Sequence, residues 1–321
     1  MRLGRTRLLS YPYELCTDVS NKCNLHCPYC PTGRGEQGGR GRGKMAYDVF
    51  TAILDELGPY AYKLELFNWG EPLLNRELPR LIAYATDRSV ATLVSTNLSF
   101  PMSDEYVRSV VQAGLTCLTA SVDGAEQHAY EQYRRGGNLS LVLQNLRTFV
   151  RVRRELGSVT PSICWQYLAF AHNEAQIDEA RRLAADVGVD NFSLLGGLYD
   201  DPVWAAKGDY SFDYLQVHRN RCTFLWTKAV FHWDGGLAAC CGGFNKDDDF
   251  DVFRPGQFHR MWNNEKFVAA RRIWTARRSP LPRDHFCTHC DKVRLYRGLP
   301  LQSKMRPSSQ GGPLSKASSG G

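Results

Sequence analysis

Between about Tyr13 and Tyr199 short apolar runs alternate with longer amphipathic stretches, and this alternation limits the fold more than any other feature. The period-2 and apolar runs predict strands at 15–19, 64–67, 91–95, 118–122, 162–169 and 191–195. Between them, apolar residues at three- and four-residue spacing predict helices at 46–57, 78–86, 104–113, 140–156 and 173–187. Strand–helix units of this length require right-handed crossovers and a parallel sheet. Six such units predict an α/β fold, a partial (β/α)6 barrel. Its functional groups should lie in the loops after the carboxyl ends of the strands.

The chain beyond this region changes character. Residues 206–300 are aromatic-rich, short of helix signals, and carry Cys222, Cys240, Cys241, Cys287 and Cys290. They are expected to form a small α+β domain after a barrel at 1–205. Residues 301–321 are rich in Ser, Gly, Pro and Lys, with little to bury, and are expected to be a disordered tail. Apolar residues make up 43% of the 321 and charged residues 23%, which suffices for a sizeable core. The net charge of +7 lacks a basic stripe interleaved with aromatics, so nucleic acid is not indicated. No stretch reaches the ~18 apolar residues of a membrane helix, and no secretory h-region is visible. A cytoplasmic location is therefore expected. In that reducing compartment the eleven cysteines read as metal ligands, catalytic thiols or packing residues rather than disulfides.

Cys23, Cys27 and Cys30 follow the first strand with CxxxCxxC spacing. Iron–sulfur clusters normally take four thiolates, so three at a barrel mouth suggest one iron left open for chemistry. A closed zinc site would need a fourth ligand, and a pairing with Cys287 and Cys290 is the alternative. Three further motifs each fall at the end of a predicted strand: Asn68-Trp69-Gly70-Glu71-Pro72, Ser95-Thr96-Asn97 and Ser121-Val122-Asp123-Gly124.

Together these motifs resemble the radical S-adenosylmethionine (SAM) superfamily, from about Glu14 to Leu195. The resemblance implies a [4Fe–4S] cluster on Cys23, Cys27 and Cys30, whose open iron chelates SAM. One-electron reduction, from an external donor such as flavodoxin or ferredoxin, then yields a 5′-deoxyadenosyl radical. The cofactor-binding residues it implies are Tyr29, Asn68, Gly70, Glu71, Pro72, Asn97, Ser121, Asp123, Arg134 and Gln166. Arg135 is the alternative to Arg134. Trp69 stands where the family usually has glycine.

The second segment resembles the shortened SPASM module called a twitch domain. That likeness implies an auxiliary [4Fe–4S] cluster on Cys222, Cys240, Cys287 and Cys290, with Cys241 the alternate to Cys240. A structural zinc on the same four ligands is the other reading. Such modules occur in dehydrogenases and epimerases of aminoglycoside biosynthesis. The expected reaction is therefore hydrogen abstraction from a carbinol carbon of a small sugar- or aminocyclitol-like substrate. The outcome is either oxidation or inversion. Inversion needs a thiol to return hydrogen, and the candidates are Cys164 and Cys241. Cys16 and Cys117 are expected to pack in the barrel. A peptide-modifying enzyme and a sugar-acid decarboxylase are the alternatives, the former disfavoured by the short stretch before the first strand. The glycine- and arginine-rich loop 33–43 reads as a mobile lid or a disordered connection. Asp201, Trp204, Asp209, Tyr210 and Trp233 are candidate walls of the site.

Overall fold

The computed structural model describes residues 5–196, 203–208, 210, 222–276, 279–283 and 285–300. The tail 301–321, Asp201 and Asp209 lie outside the described residues.

Six parallel strands form as the alternation requires: β1 (Glu14–Thr17), β2 (Lys63–Glu65), β3 (Ala91–Thr96), β4 (Cys117–Ser121), β5 (Ser162–Ala169) and β6 (Asn191–Gly196). Helices α1 (Tyr47–Leu57), α2 (Leu78–Thr86), α3 (Asp104–Gln112), α4 (Gln127–Tyr133), α5 (Leu139–Glu155) and α6 (Ile177–Val187) connect them. The local chemistry explains their ends. Ser103 caps α3 by accepting from the Tyr106 amide, and Asn138 caps α5 by accepting from the Leu141 amide. Gly188 closes α6 at φ 85°, a left-handed position that glycine fills without strain. Leu139, Val142, Leu146, Phe149 and Val152 of α5 repeat every three or four residues and are all buried. Each such burial contributes about 1.5–3 kcal/mol.

Along β5, burial alternates strictly: Ile163, Trp165, Tyr167 and Ala169 face the helices, while Ser162, Cys164, Gln166 and Leu168 are half-buried on the inner face.

The short helix α4 is not separable from its surroundings by pattern. It delivers Arg134, which leaves helical geometry at φ −83°, ψ 58°.

Among the described residues the second segment adds its strands to the same sheet. β7 (Lys228–Phe231) pairs parallel with β1, and β8 (Gly236–Ala238) and β9 (Asp249–Val252) follow antiparallel. The sheet thus runs β6-β5-β4-β3-β2-β1-β7-β8-β9. One buried apolar cluster extends from α1 and α5 to the helices Phe258–Trp262 and Glu265–Thr275. The buried Arg271 guanidinium donates to the carbonyls of Thr6, Leu225 and Trp262, tying the residues before β1 into this segment.

The loop 33–43, read from its glycines as a lid or a disordered link, is tied to the second segment through Arg40. Arg40 is buried, bidentate to Asp249 at 2.7 and 3.0 Å, and 3.0 Å from Asp234. Glycine content alone predicts mobility; two carboxylates 194 and 209 positions away supply the restraint.

Candidate active site

The loop carrying Cys23, Cys27 and Cys30 emerges after β1 and folds back on itself. A Cβ at Gly33 would lie 2.6 Å from the backbone N and O of Cys27, so only glycine permits this return. The His26 amide donates to the Arg135 carbonyl at 2.9 Å, and Asn24 Nδ2 to the Ser99 carbonyl at 2.8 Å. The three cysteines line one cavity of about 240 Å³ together with the turn 68–71, the ends of β3 and β4, Arg134 and Leu168.

Two donors point at sulfur: the Leu25 amide and Asn97 Nδ2 lie 3.5 and 3.7 Å from Cys23 Sγ. Burial nevertheless pushes the Cys23 thiol up to about 12. It raises Cys27 too, against the pull of Arg134. Thiols crowded in this way ionise only if cationic charge is bound among them. Among the described residues no group of three or more His, Cys, Asp or Glu side chains forms a site for a single metal ion. Three thiols around a cavity of this size fit a larger body, as an iron–sulfur cluster is.

Gly70 sits where a Cβ would come within 2.0 Å of the Ser20 carbonyl, so the turn can touch the cysteine loop. Pro72 opens the short helix Pro72–Leu74 after it. The Glu71 carboxylate is 2% exposed. It accepts from Thr96 Oγ1 and the Asn97 amide, both at 2.7 Å, and from the Leu73 amide at 3.1 Å. Its lone pairs hold the end of β3 in place. Burial raises its pKa to about 7 in spite of these bonds.

Asp123 is fully buried and holds Arg134 Nε at 2.6 Å while accepting from the Leu168 amide at 2.8 Å. The structure thus turns Arg134 into the cavity and leaves Arg135 exposed. Ser121 lines the cavity, and its sheet partner Gln166 does not. Tyr29 is buried against an aromatic group with Tyr133, Phe170 and Trp204, its ring 5.6 Å edge-on from Trp204. Asn68, with its amide oriented to donate to the Cys241 carbonyl at 3.3 Å, faces the second segment.

The four cysteines Cys222, Cys240, Cys287 and Cys290 come together. Burial raises the Cys287 thiol far above its usual range, and the charges of Cys240, Cys222 and Cys290 raise it further. Burial also brings Cys222 up to about 11. Cys241 is exposed as a residue, yet burial raises its thiol, which also lies in the field of Lys228 and Glu65, and its charge acts on Cys240.

Cys164 shares its strand face with the cavity residue Leu168. Register sets it beside Thr119, and Thr119 beside the cavity residue Ser95. That places it two strand spacings, about 10 Å, from Ser95. Cys117, set beside Leu93, lies a row deeper. Cys16 is buried, its thiol donating to the Phe67 carbonyl. A charged cluster that the sequence patterns did not reveal lies on the same inner face. Glu14, Lys63, Glu65 and Lys228 form a closed ring of ion pairs at 2.9–3.3 Å across β1, β2 and β7. Inner-face parity with Phe67 could have found Glu65. Lys228 has no such signal, because the run that carries it does not read as a strand.

Residues 17–162 match the family model of the radical SAM superfamily. A tungsten-containing aldehyde ferredoxin oxidoreductase cofactor-modifying protein of Pyrococcus furiosus is 26% identical over 293 residues, covering 82% of this chain and 81% of that protein. A probable GTP 3',8-cyclase of Methanococcus maripaludis is 27% identical over 135 residues, 42% of this chain and 44% of the cyclase. Among solved structures, Streptococcus suis SuiB bound to S-adenosylmethionine superposes with a TM-score of 0.66 at 14% identity, covering 91% of this chain and 73% of SuiB. BtrN in complex with AdoMet and 2-DOIA does so at 0.54 and 14% identity, covering 86% and 94%. At these identities the structural matches establish the shared fold.

Proposed function

Because this chain is a radical SAM enzyme, carrying that family's domain over residues 17–162, we propose that it abstracts hydrogen from a carbinol carbon of a small polar substrate and returns a hydrogen atom from Cys241, inverting the centre; the thiyl radical left on Cys241 is restored to a thiol by a second electron from the external donor and a proton from solvent. A cluster bound at Cys23, Cys27 and Cys30 would supply the electron that splits SAM into methionine and a 5′-deoxyadenosyl radical. In this reading Arg134, oriented by Asp123, pairs with the SAM carboxylate, and Ser121 donates to the same group. Gly70 lets the turn 68–71 approach the co-substrate, and Tyr29 closes the cavity against water. Cys222, Cys240, Cys287 and Cys290 hold a second cluster. Cys241 stays outside that set and keeps a thiol for chemistry.

The observation that carries this reading is the exposed Cys241 on a hairpin whose backbone meets Asn68 of the cavity turn. The hydroxyls of Ser95 and Ser121, which line the cavity, support a sugar- or aminocyclitol-like substrate rather than an apolar one. Exposed Lys22, His26 and Arg135 flank the first cysteine loop and suit an acidic one-electron donor such as flavodoxin or ferredoxin. Eleven reduced cysteines suit the cytoplasm. Oxidation to a ketone is the second reading. The hydrogen bond from Trp69 of the cavity turn to the Gly243 carbonyl, three residues past Cys240, favours it, since an electron could leave that way.

The test is turnover of reduced, reconstituted enzyme with SAM and a panel of aminocyclitols and sugars in D2O. Inversion predicts one solvent deuterium at the reacting carbon, lost in Cys241→Ala and retained in Cys164→Ala. A ketone without deuterium would establish oxidation instead. Deuterium that survives Cys241→Ala would remove this residue as the donor.

A further inference from the structure

Trp69 is held from the second segment at two points. Its indole Nε1 donates to the Gly243 carbonyl at 3.1 Å, three residues past Cys240, and its ring meets Phe244 edge-on at 5.3 Å. Its backbone amide donates to Asp18 Oδ1 at 2.8 Å, and Asp18 Oδ2 lies 2.8 Å from His232 Nδ1. Asp18 and His232 are both buried, so water does not compete for this bridge. The hairpin itself is braced by Arg40, which donates to the carbonyls of Phe244 and Asn245 at 3.1 and 2.9 Å. Trp69 also lines the cavity with Cys23, Cys27 and Cys30. A glycine at this position would make neither the indole bond nor the ring contact.

We propose that Trp69 is a positioning residue that couples the SAM cavity to the second cysteine set. Filling that set fixes the hairpin 240–244, the hairpin fixes the indole, and the indole sets the wall against which SAM binds. This rests on the reading of the two cysteine sets as cluster sites. Coupling of this kind is reciprocal: SAM must perturb the second cluster as the second cluster favours SAM.

The test is a double-mutant cycle read by SAM binding to the anaerobically reconstituted protein, without turnover. Trp69→Phe keeps the ring and removes the indole bond. We expect SAM affinity to fall about two- to tenfold, the scale of one hydrogen bond. Cys222→Ser, which removes the second cluster, should produce a fall of similar size, and the double variant should fall no further. Additive losses would overturn the proposal. In a second measurement, which does not need Cys222→Ser to fold, SAM should shift the reduction potential of the second cluster in the wild type and not in Trp69→Phe. An equal shift in both, or none in the wild type, would overturn it. The first cluster's own EPR signal separates the two claims. If SAM changes it in neither protein, the cluster reading falls and takes the coupling with it.

Discussion

The Arg134 guanidinium lies 2.6 Å from the Asp123 carboxylate, and that carboxylate is sealed from solvent. Removing one partner of such a pair leaves a buried charge without compensation, at roughly 3–5 kcal/mol. Asp123→Ala should therefore lower stability by about 3 kcal/mol in urea unfolding and free Arg134 to leave the cavity. Arg134→Ala should weaken SAM binding more than tenfold, the usual scale for a charge-assisted contact. Unchanged SAM affinity in Arg134→Ala would sink its assignment to the carboxylate.

Glu71 gives a pH dependence whose sign can be worked out. Its folded pKa of about 7 lies above the ordinary 4.5, because burial disfavours the charged form. Between these values the folded state binds the extra proton, so stability falls as pH rises. The contribution is present below about pH 4.5 and gone above about pH 7, with an upper scale of roughly 3 kcal/mol. Unfolding midpoints of the metal-free protein at pH 5 and pH 8 should differ more in the wild type than in Glu71→Gln. An identical pH slope in the two would refute this.

Gly70 faces the Ser20 carbonyl with no room for a side chain. Gly70→Ala should cost roughly 1–3 kcal/mol by overpacking, and SAM binding should suffer with it as the turn is driven away from the cysteine loop. Thermal unfolding and SAM titration would check the two effects separately.

The Arg40 ion pairs join loop 33–43 to the hairpin around Cys240. Arg40→Ala should destabilise the fold by about 3 kcal/mol. Arg40→Lys should recover part of this, since an ammonium replaces the charge and not the fork. Proteolysis within 33–43 is the readout: cleavage should appear in Arg40→Ala and be absent from the wild type.

Iron content distinguishes the two adjacent hairpin cysteines. Wild type should bind about eight irons per chain, as two four-iron clusters. Cys240→Ala should bring this to about four, and Cys241→Ala should leave it near eight. The reverse result would exchange their roles.

Much of this protein is legible in its sequence. The six parallel strands, five of the helices and the first cysteine loop follow from patterns contained in stretches of ten or twenty residues, where chain geometry alone relates one side chain to the next. Arg134, and not Arg135, lines the cavity with the first cysteine loop.

What only the tertiary structure decided involves partners distant in sequence. β7 joins β1 across more than 200 residues. Arg40 finds Asp249, and Trp69 finds Gly243, over similar separations. Glu71 spends its carboxylate on β3, though a Gly-Glu-Pro turn read alone leaves that carboxylate free. Local sequence specifies which segments can be strands or helices, because backbone sterics and side-chain period act over a few residues. It does not specify which buried donor meets which acceptor. That choice is made by packing, when every polar group carried into the interior must find a partner there.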